Sequence, residues 1–242
     1  MAPVEVSVCS NEAEVISKLA KLVESKAQET LHKNSCFRVG LSGGSLIKFL
    51  CKGLPTISTA WPKWKFFFCD ERLVPFDNPE STFGCYRKDL LSATPVTEDQ
   101  FVTIDPNLNV EEAAKDYSRK IEQEFRISSS SLPKFDLLLL GIGPDGHTCS
   151  LFPNHALLRE EKKWVAPISD SPKPPPCRVT LTLPVLNNCK CAVFVTTGES
   201  KAETLKEILE GTGLQPLPAA LVRPNLGELH WIVDKEAAKL LL

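Results

Sequence analysis

Short apolar runs alternate along the whole chain with segments whose apolar residues recur every three or four positions. Val4 to Cys9, Cys36 to Leu41, Trp64 to Cys69, Phe135 to Leu140, Trp164 to Ile168, Arg178 to Leu183, Ala192 to Thr196 and Leu229 to Val233 predict strands. Between the first two, Val15, Leu19, Leu22, Val23 and Ala27 share one face of a predicted helix. Asn11 and Glu14 have the spacing of a capping box opening that helix, and Asn109 and Glu112 repeat it for a helix running through Phe125. Leu46 to Cys51, Glu199 to Glu210 and Lys235 to Leu242 also predict helices, the last still helical where the sequence stops. Strands this apolar are buried on both faces, so the alternation predicts an α/β fold of three layers, a mostly parallel sheet covered by helices on both sides.

No linker, internal repeat or low-complexity block interrupts the pattern, and a single domain spanning 1–242 is expected. A serine run with Pro133 separates the helix ending at Phe125 from the strand that follows, and Pro172 to Pro176 predicts an extended surface loop. Lys plus Arg number 28 against 30 for Asp plus Glu, a net charge of -2, which leaves no broad basic field for nucleic acid or an acidic membrane. Any anion must therefore be held by a local cluster. The first residues lack the basic-then-apolar order of a secretory signal, no apolar stretch reaches the ~18 residues of a membrane span, and a cytoplasmic location is expected. The nine cysteines are odd in number, form no Cys-x-x-Cys and sit mostly in apolar runs, which predicts buried reduced thiols. Cys189-x-Cys191 has no second pair to complete a zinc site, and no metal is expected.

In open parallel sheets ligands bind beyond the carboxyl ends of the strands, and three loops there carry unusual chemistry. Ser42-Gly43-Gly44-Ser45 turns from strand to helix; without Cβ atoms its N–H groups can approach an anion at the helix's positive end, although two glycines also suit any tight turn. The spacing is not that of a Walker loop. Asp70-Glu71-Arg72 follows the aromatic strand directly: Arg72 offers a donor fork to phosphate or carboxylate, and Asp70 an acceptor for a ligand hydroxyl. The third, Gly141 to Pro153, begins with G-x-G-x-x-G, but Asp145 would put a negative charge in a pyrophosphate cradle and Pro153 cuts short the helix that should follow. What remains is His147 on a glycine loop with Asp145 two residues earlier, a general base with a carboxylate to orient it. A metal fragment using Cys149 or His155, and Cys149 as a nucleophile, are weaker readings of the same loop.

Taken together, Leu41-Ser42-Gly43-Gly44-Ser45, Cys69-Asp70-Glu71-Arg72-Leu73-Val74-Pro75, Glu80-Ser81-Thr82, the Gly141 to Pro153 loop, Pro174-Pro175-Pro176-Cys177-Arg178-Val179-Thr180 and Gly198-Glu199-Ser200-Lys201 resemble the 6-phosphogluconolactonase family, in the broader group that includes glucosamine-6-phosphate deaminases. The resemblance covers nearly the whole chain. It implies the modified Rossmann-like, deaminase/lactonase type of the three-layer fold and hydrolysis of 6-phospho-D-glucono-1,5-lactone to 6-phosphogluconate in the oxidative pentose phosphate pathway, with no cofactor. On that basis His147, held by Asp145, moves the proton, and loop N–H groups face the oxyanion. Gly43, Gly44 and Ser45 take the phosphate with Arg72, Arg178 and Lys201, and Asp70 orients the sugar. Arg178 and Lys201 each start a regular element, where a charged residue is also at home in solvent. The Gly-His loop continues Thr148-Cys149-Ser150-Leu151-Phe152-Pro153, unlike the Asn- and Glu-rich continuation of the deaminases. An amino-sugar deaminase and a silent sugar-phosphate-binding regulator stand as alternatives. A small sugar-phosphate lactone is the only partner expected, and a monomer the expected state.

Overall fold

The computed structural model describes residues 4–128 and 130–242; positions 1–3 of the amino-terminal segment and Ser129 of the serine run lie outside the described residues. Six strands make the central sheet: β1 (Val4–Cys9), β2 (Phe37–Leu41), β3 (Trp64–Phe68), β5 (Leu137–Leu140), β8 (Cys191–Thr196) and β9 (Glu228–Asp234). Their order is β1-β9-β8-β5-β2-β3, and every neighbouring pair is parallel. The remaining strands, β4 (Asp70–Arg72), β6 (Val165–Ile168) and β7 (Arg178–Leu181), form a separate antiparallel sheet ordered β4-β7-β6. The helices are α1 (Glu12–Lys33), α2 (Ser45–Gly53), α3 (Thr82–Leu90), α4 (Val110–Phe125), α5 (Leu183–Leu186), α6 (Ala202–Glu210) and α7 (Lys235–Ala238).

Side chains of the central strands alternate between two apolar layers, as the period of two requires. Val39, Leu41, Phe66, Phe68, Leu137, Leu139, Val193 and Val195 pack with α1, α2 and α3, while Phe67, Leu138, Leu140, Ala192, Phe194 and Trp231 pack with α4, α6, α7 and the small sheet. Both faces are covered, so the three-layer α/β architecture expected from the apolar runs is the one present.

The structure corrects four local expectations. Asp70–Arg72 is not a loop at the end of a strand but a strand of the second sheet, and the strands expected over 164–168 and 178–183 are Val165–Ile168 and Arg178–Leu181, both outside the parallel sheet, with Leu183 already starting α5. Cys69 is the corner: its N–H donates to the Leu41 carbonyl at 2.8 Å, and its own carbonyl accepts the Leu181 N–H at 2.8 Å. One residue thus ties the two sheets together and delivers Asp70 and Arg72 to the end of β3. The terminal helix stops at Ala238 instead of reaching Leu242; Leu240 and Leu242 beyond it are exposed, while Leu241 packs against the core. Glu199–Lys201 is a 3₁₀ turn preceding α6. At α1 the Asn11 side chain accepts the Glu14 N–H at 3.0 Å, but the Glu14 carboxylate reaches past Asn11 to the Ser10 N–H at 2.7 Å. At α4 Asn109 caps the Glu112 N–H at 3.0 Å.

Candidate active site

The loops leaving β2, β3, β5 and β8 surround an open cleft of about 140 Å³. Gly43, Gly44, Ser45, Asp70, Arg72, His147, Arg178 and Lys201 all line it, and Asp145 stands behind His147. Residues far apart in the chain therefore meet at one place, on the side of the sheet where parallel strands present their carboxyl ends.

The glycine turn forms one wall. Gly44 has φ 71, a left-handed conformation, and as the residue before α2 it supplies no side chain to cap the helix. Ser45 and Leu46, at the start of α2, line the cleft with the positive end of the helix behind them, while the Ile47 N–H is spent on the Gly44 carbonyl at 3.2 Å. Gly43 lies close to α3, where an added Cβ would stand 3.1 Å from Thr82 Oγ1. Nearby, the buried hydroxyls of Ser42 and Thr196 have no hydrogen-bond partner among the described residues, and both residues line the cleft. A buried hydroxyl without a partner is costly, which points to a polar ligand.

The opposite wall carries the imidazole. His147 Nδ1 lies 2.5 Å from Asp145 Oδ1. An ionised carboxylate only accepts, so the proton of the neutral ring sits on Nδ1 and Nε2 keeps its lone pair, with no hydrogen bond among the described residues. The Phe152 ring lies 4.7 Å from the imidazole. Burial holds the His147 pKa below its ordinary value and outweighs the pull of Asp145 in the other direction. Burial also works against the Asp145 charge, but the His147 hydrogen bond and the Lys173 ammonium bring that carboxyl down to about 2. The loop folds back on itself to achieve this: the Gly143 N–H donates to the His147 carbonyl at 2.8 Å and the Gly146 N–H to the Gly143 carbonyl at 3.1 Å. These two amides are spent internally and cannot cradle a pyrophosphate or an oxyanion.

The cations converge between the two walls. Arg72 and Arg178 are direct cross-strand partners, an unfavourable pairing of like charges unless an anion lies between or beside them. Arg72 Nη1 reaches the Glu80 carboxylate at 3.1 Å. Arg178 is only 3% exposed, not the solvated strand start that its position allowed. Its Nε and Nη2 donate to the carbonyls of Pro175, Lys173 and Pro174 at 3.0–3.1 Å. Burial, then the Arg72 charge, lowers its pKa. Lys201, half-buried, donates to the Ile142 carbonyl at 3.1 Å, and burial followed by repulsion from Lys173 lowers its pKa. Asp70 accepts from Ser150 Oγ at 2.8 Å.

Lys173 was missed by sequence reasoning. It belongs to the proline-rich loop, which is not merely an outer surface: Lys173 Nζ is 3.1 Å from Asp145 Oδ1. No spacing announces this contact, since it joins two loops. Thr196 was missed as well, and Ser42 was read only as part of the glycine turn, since a buried hydroxyl without a partner leaves no mark in a sequence.

His155 pairs with Asp170 at 3.1 Å and lies in no cluster with His147. The Cys149 thiol is buried, and a hydrogen bond with Cys69 followed by burial raises its pKa well above the usual range, which disfavours a thiolate nucleophile. Five cysteines are buried and four partly so, all unpaired. Cys191, Glu228 and His230 lie together at the other end of the sheet, but burial pushes the Cys191 thiol up to about 12 and Lys26 already pairs with Glu228 at 2.8 Å.

Comparison with known proteins agrees with this geometry. The family model described as glucosamine-6-phosphate isomerases/6-phosphogluconolactonase matches residues 10–231. The human protein named 6-phosphogluconolactonase is 55% identical, over 99% of this chain and 95% of its own length. A Drosophila melanogaster protein named probable 6-phosphogluconolactonase is 44% identical, over 95% and 92%. Among solved structures, 6-phosphogluconolactonase from Trypanosoma cruzi superposes with a TM-score of 0.86 at 29% identity, covering 100% of this chain and 98% of that one. That from Thermotoga maritima gives 0.84 at 29%, covering 96% and 100%. By family match and by identity over nearly its full length, this chain belongs to the glucosamine-6-phosphate isomerase/6-phosphogluconolactonase family.

Proposed function

We propose that the chain hydrolyses 6-phospho-D-glucono-1,5-lactone to 6-phosphogluconate, with His147 as the proton carrier. The observation that carries this reading is the imidazole itself: Nδ1 is tied to Asp145 at 2.5 Å and Nε2 is left free in a cleft whose other wall suits an anion. Nε2 removes a proton from a water as its oxygen attacks the lactone carbonyl carbon. When the tetrahedral intermediate collapses, the bond to the ring oxygen breaks, and the imidazolium returns that proton to the departing oxygen. Asp145 fixes the tautomer and steadies the transient imidazolium. Acid–base assistance of this kind contributes about 10²- to 10⁴-fold.

At the far end of the sugar, the phosphate rests on the N–H groups around Gly43, Gly44 and Ser45, with Arg72, Arg178 and Lys201 supplying positive charge. Asp70 and the unpaired hydroxyls of Ser42 and Thr196 face the sugar and its reacting oxygen. A monomer as the working unit and 1–242 as one domain belong to the same proposal. No described helix is long and apolar enough to cross a membrane. A cytoplasmic location suits an enzyme acting on a diffusible sugar phosphate.

The direct experiment uses freshly prepared lactone at neutral pH, corrected for spontaneous opening, beside an ammonia-release assay on glucosamine 6-phosphate. Enzyme-dependent lactone hydrolysis without ammonia is the expected result. Ammonia release with lactone hydrolysis at background would establish the deaminase instead, and neither activity would leave a sugar-phosphate-binding regulator.

A further inference from the structure

Lys173 stands in a loop between β6 and β7, yet its ammonium is part of the His147 site. Nζ lies 3.1 Å from Asp145 Oδ1 and 3.2 Å from His147 Nδ1, so one carboxylate oxygen faces both the ring N–H and the ammonium. The backbone of Lys173 is held in turn. Its carbonyl accepts from Arg178 Nη2 at 3.0 Å and from Ser171 Oγ at 2.8 Å, and its N–H donates to Ser171 Oγ at 3.3 Å. A surface lysine reaching into solvent needs none of this. Here a buried arginine fixes the main chain, and the side chain is directed at the carboxylate.

We propose that Lys173 is a positioning residue for the His147 relay: its ammonium shares the Asp145 carboxylate and so keeps the imidazole neutral and oriented between turnovers. The inference rests on the assignment of His147 as the base. A carboxylate at hydrogen-bond distance favours the imidazolium; burial of the ring works against that pull, and the Lys173 ammonium on the same carboxylate oxygen works against it too. The ammonium also weakens the hold on the transient imidazolium, so the proton passes back to the leaving oxygen instead of staying on the ring.

The other groups around the ring do not supply this balance. Asp70 favours the protonated ring, as Asp145 does, while Phe152 packs against the imidazole without charge. Lys201 and Arg178 line the same cleft, but their hydrogen bonds go to the carbonyls of Ile142 and of 173–175. Lys173 is the cation in direct contact with both members of the dyad among the described residues.

The test compares wild type with Lys173→Met and Lys173→Arg by two readouts on the free enzyme, the pH dependence of kcat/KM and the titration of the His147 ring followed by NMR. In wild type the acid limb of the rate and the ring titration should coincide. Lys173→Met should move both upward by about 1–2 pH units, the usual size of such a charge effect, with KM changed less than about threefold. Lys173→Arg should return both towards wild type. If the ring midpoint and acid limb stay in place in Lys173→Met, the positioning role is wrong while the base assignment stands. A wild-type limb that does not follow the ring titration would instead remove the base assignment itself.

Discussion

Gly143 and His147 occupy the same small volume: a Cβ on residue 143 would lie 1.9 Å from His147 Nδ1 and 2.5 Å from Asp145 Oδ1. Gly143 therefore serves the imidazole and not a nucleotide. Gly143→Ala must push the ring off Asp145. Displacements of about 1 Å at a reacting group can cost on the order of 10²-fold. We expect kcat to fall by about that factor while KM changes little, since the anion wall is untouched. Steady-state kinetics on the folded variant checks this, and an unchanged kcat would contradict the close packing described.

Arg178 has two tasks, and substitutions should separate them. Its Nε and Nη2 hold the carbonyls of residues 173–175, and its charge stands beside Arg72 at the cleft. Lysine preserves the charge but not the planar fork. Arg178→Lys should thus raise KM by about tenfold or more and weaken competitive inhibition by inorganic phosphate by a similar factor, the cost of ~1.4 kcal/mol in anion binding. Arg178→Lys kinetics indistinguishable from wild type would show that the fork is dispensable.

Glu71 governs α3 through buried N–H groups. Its carboxylate accepts from Thr82 and Phe83 at 2.7 Å and from Arg72 at 2.8 Å. Burial raises its pKa to about 7 against the lowering effect of those donors. Between the ordinary value of 4.5 and about 7 the folded protein keeps a proton that the unfolded chain has lost. This contribution to stability is fully present below the unfolded value and lost as pH rises through the folded one. Urea unfolding of wild type and Glu71→Gln at about pH 5 and pH 8 reads it out. The wild type should lose more stability than the variant on going to the higher pH, and parallel behaviour would rule out Glu71 as the source.

How much of this was legible in the chain follows from which contacts are local. Strands such as Leu137–Leu140, buried on both faces, announce themselves as unbroken apolar runs, and the loops they feed carry their glycines and His147 in plain view. Asp70–Arg72 gave no strand signal, because three charged residues become a strand only by pairing with 178–180 of β7, far along the chain. α3 was missed as well: its polar sequence carries only a few buried positions, and its start is tied by Glu71 from another element. Lys173 was hidden by its setting, since prolines read correctly as a loop say nothing of where the lysine between them points.

The central claim is that His147 moves the proton and does not merely hold the sugar. His147→Ala tests it most directly, with kcat for lactone hydrolysis and the Kd for 6-phosphogluconate measured on the same preparation. The account predicts a fall in kcat of about 10²- to 10⁴-fold with the Kd within about threefold of wild type. A variant that turns over lactone at the wild-type rate would contradict it.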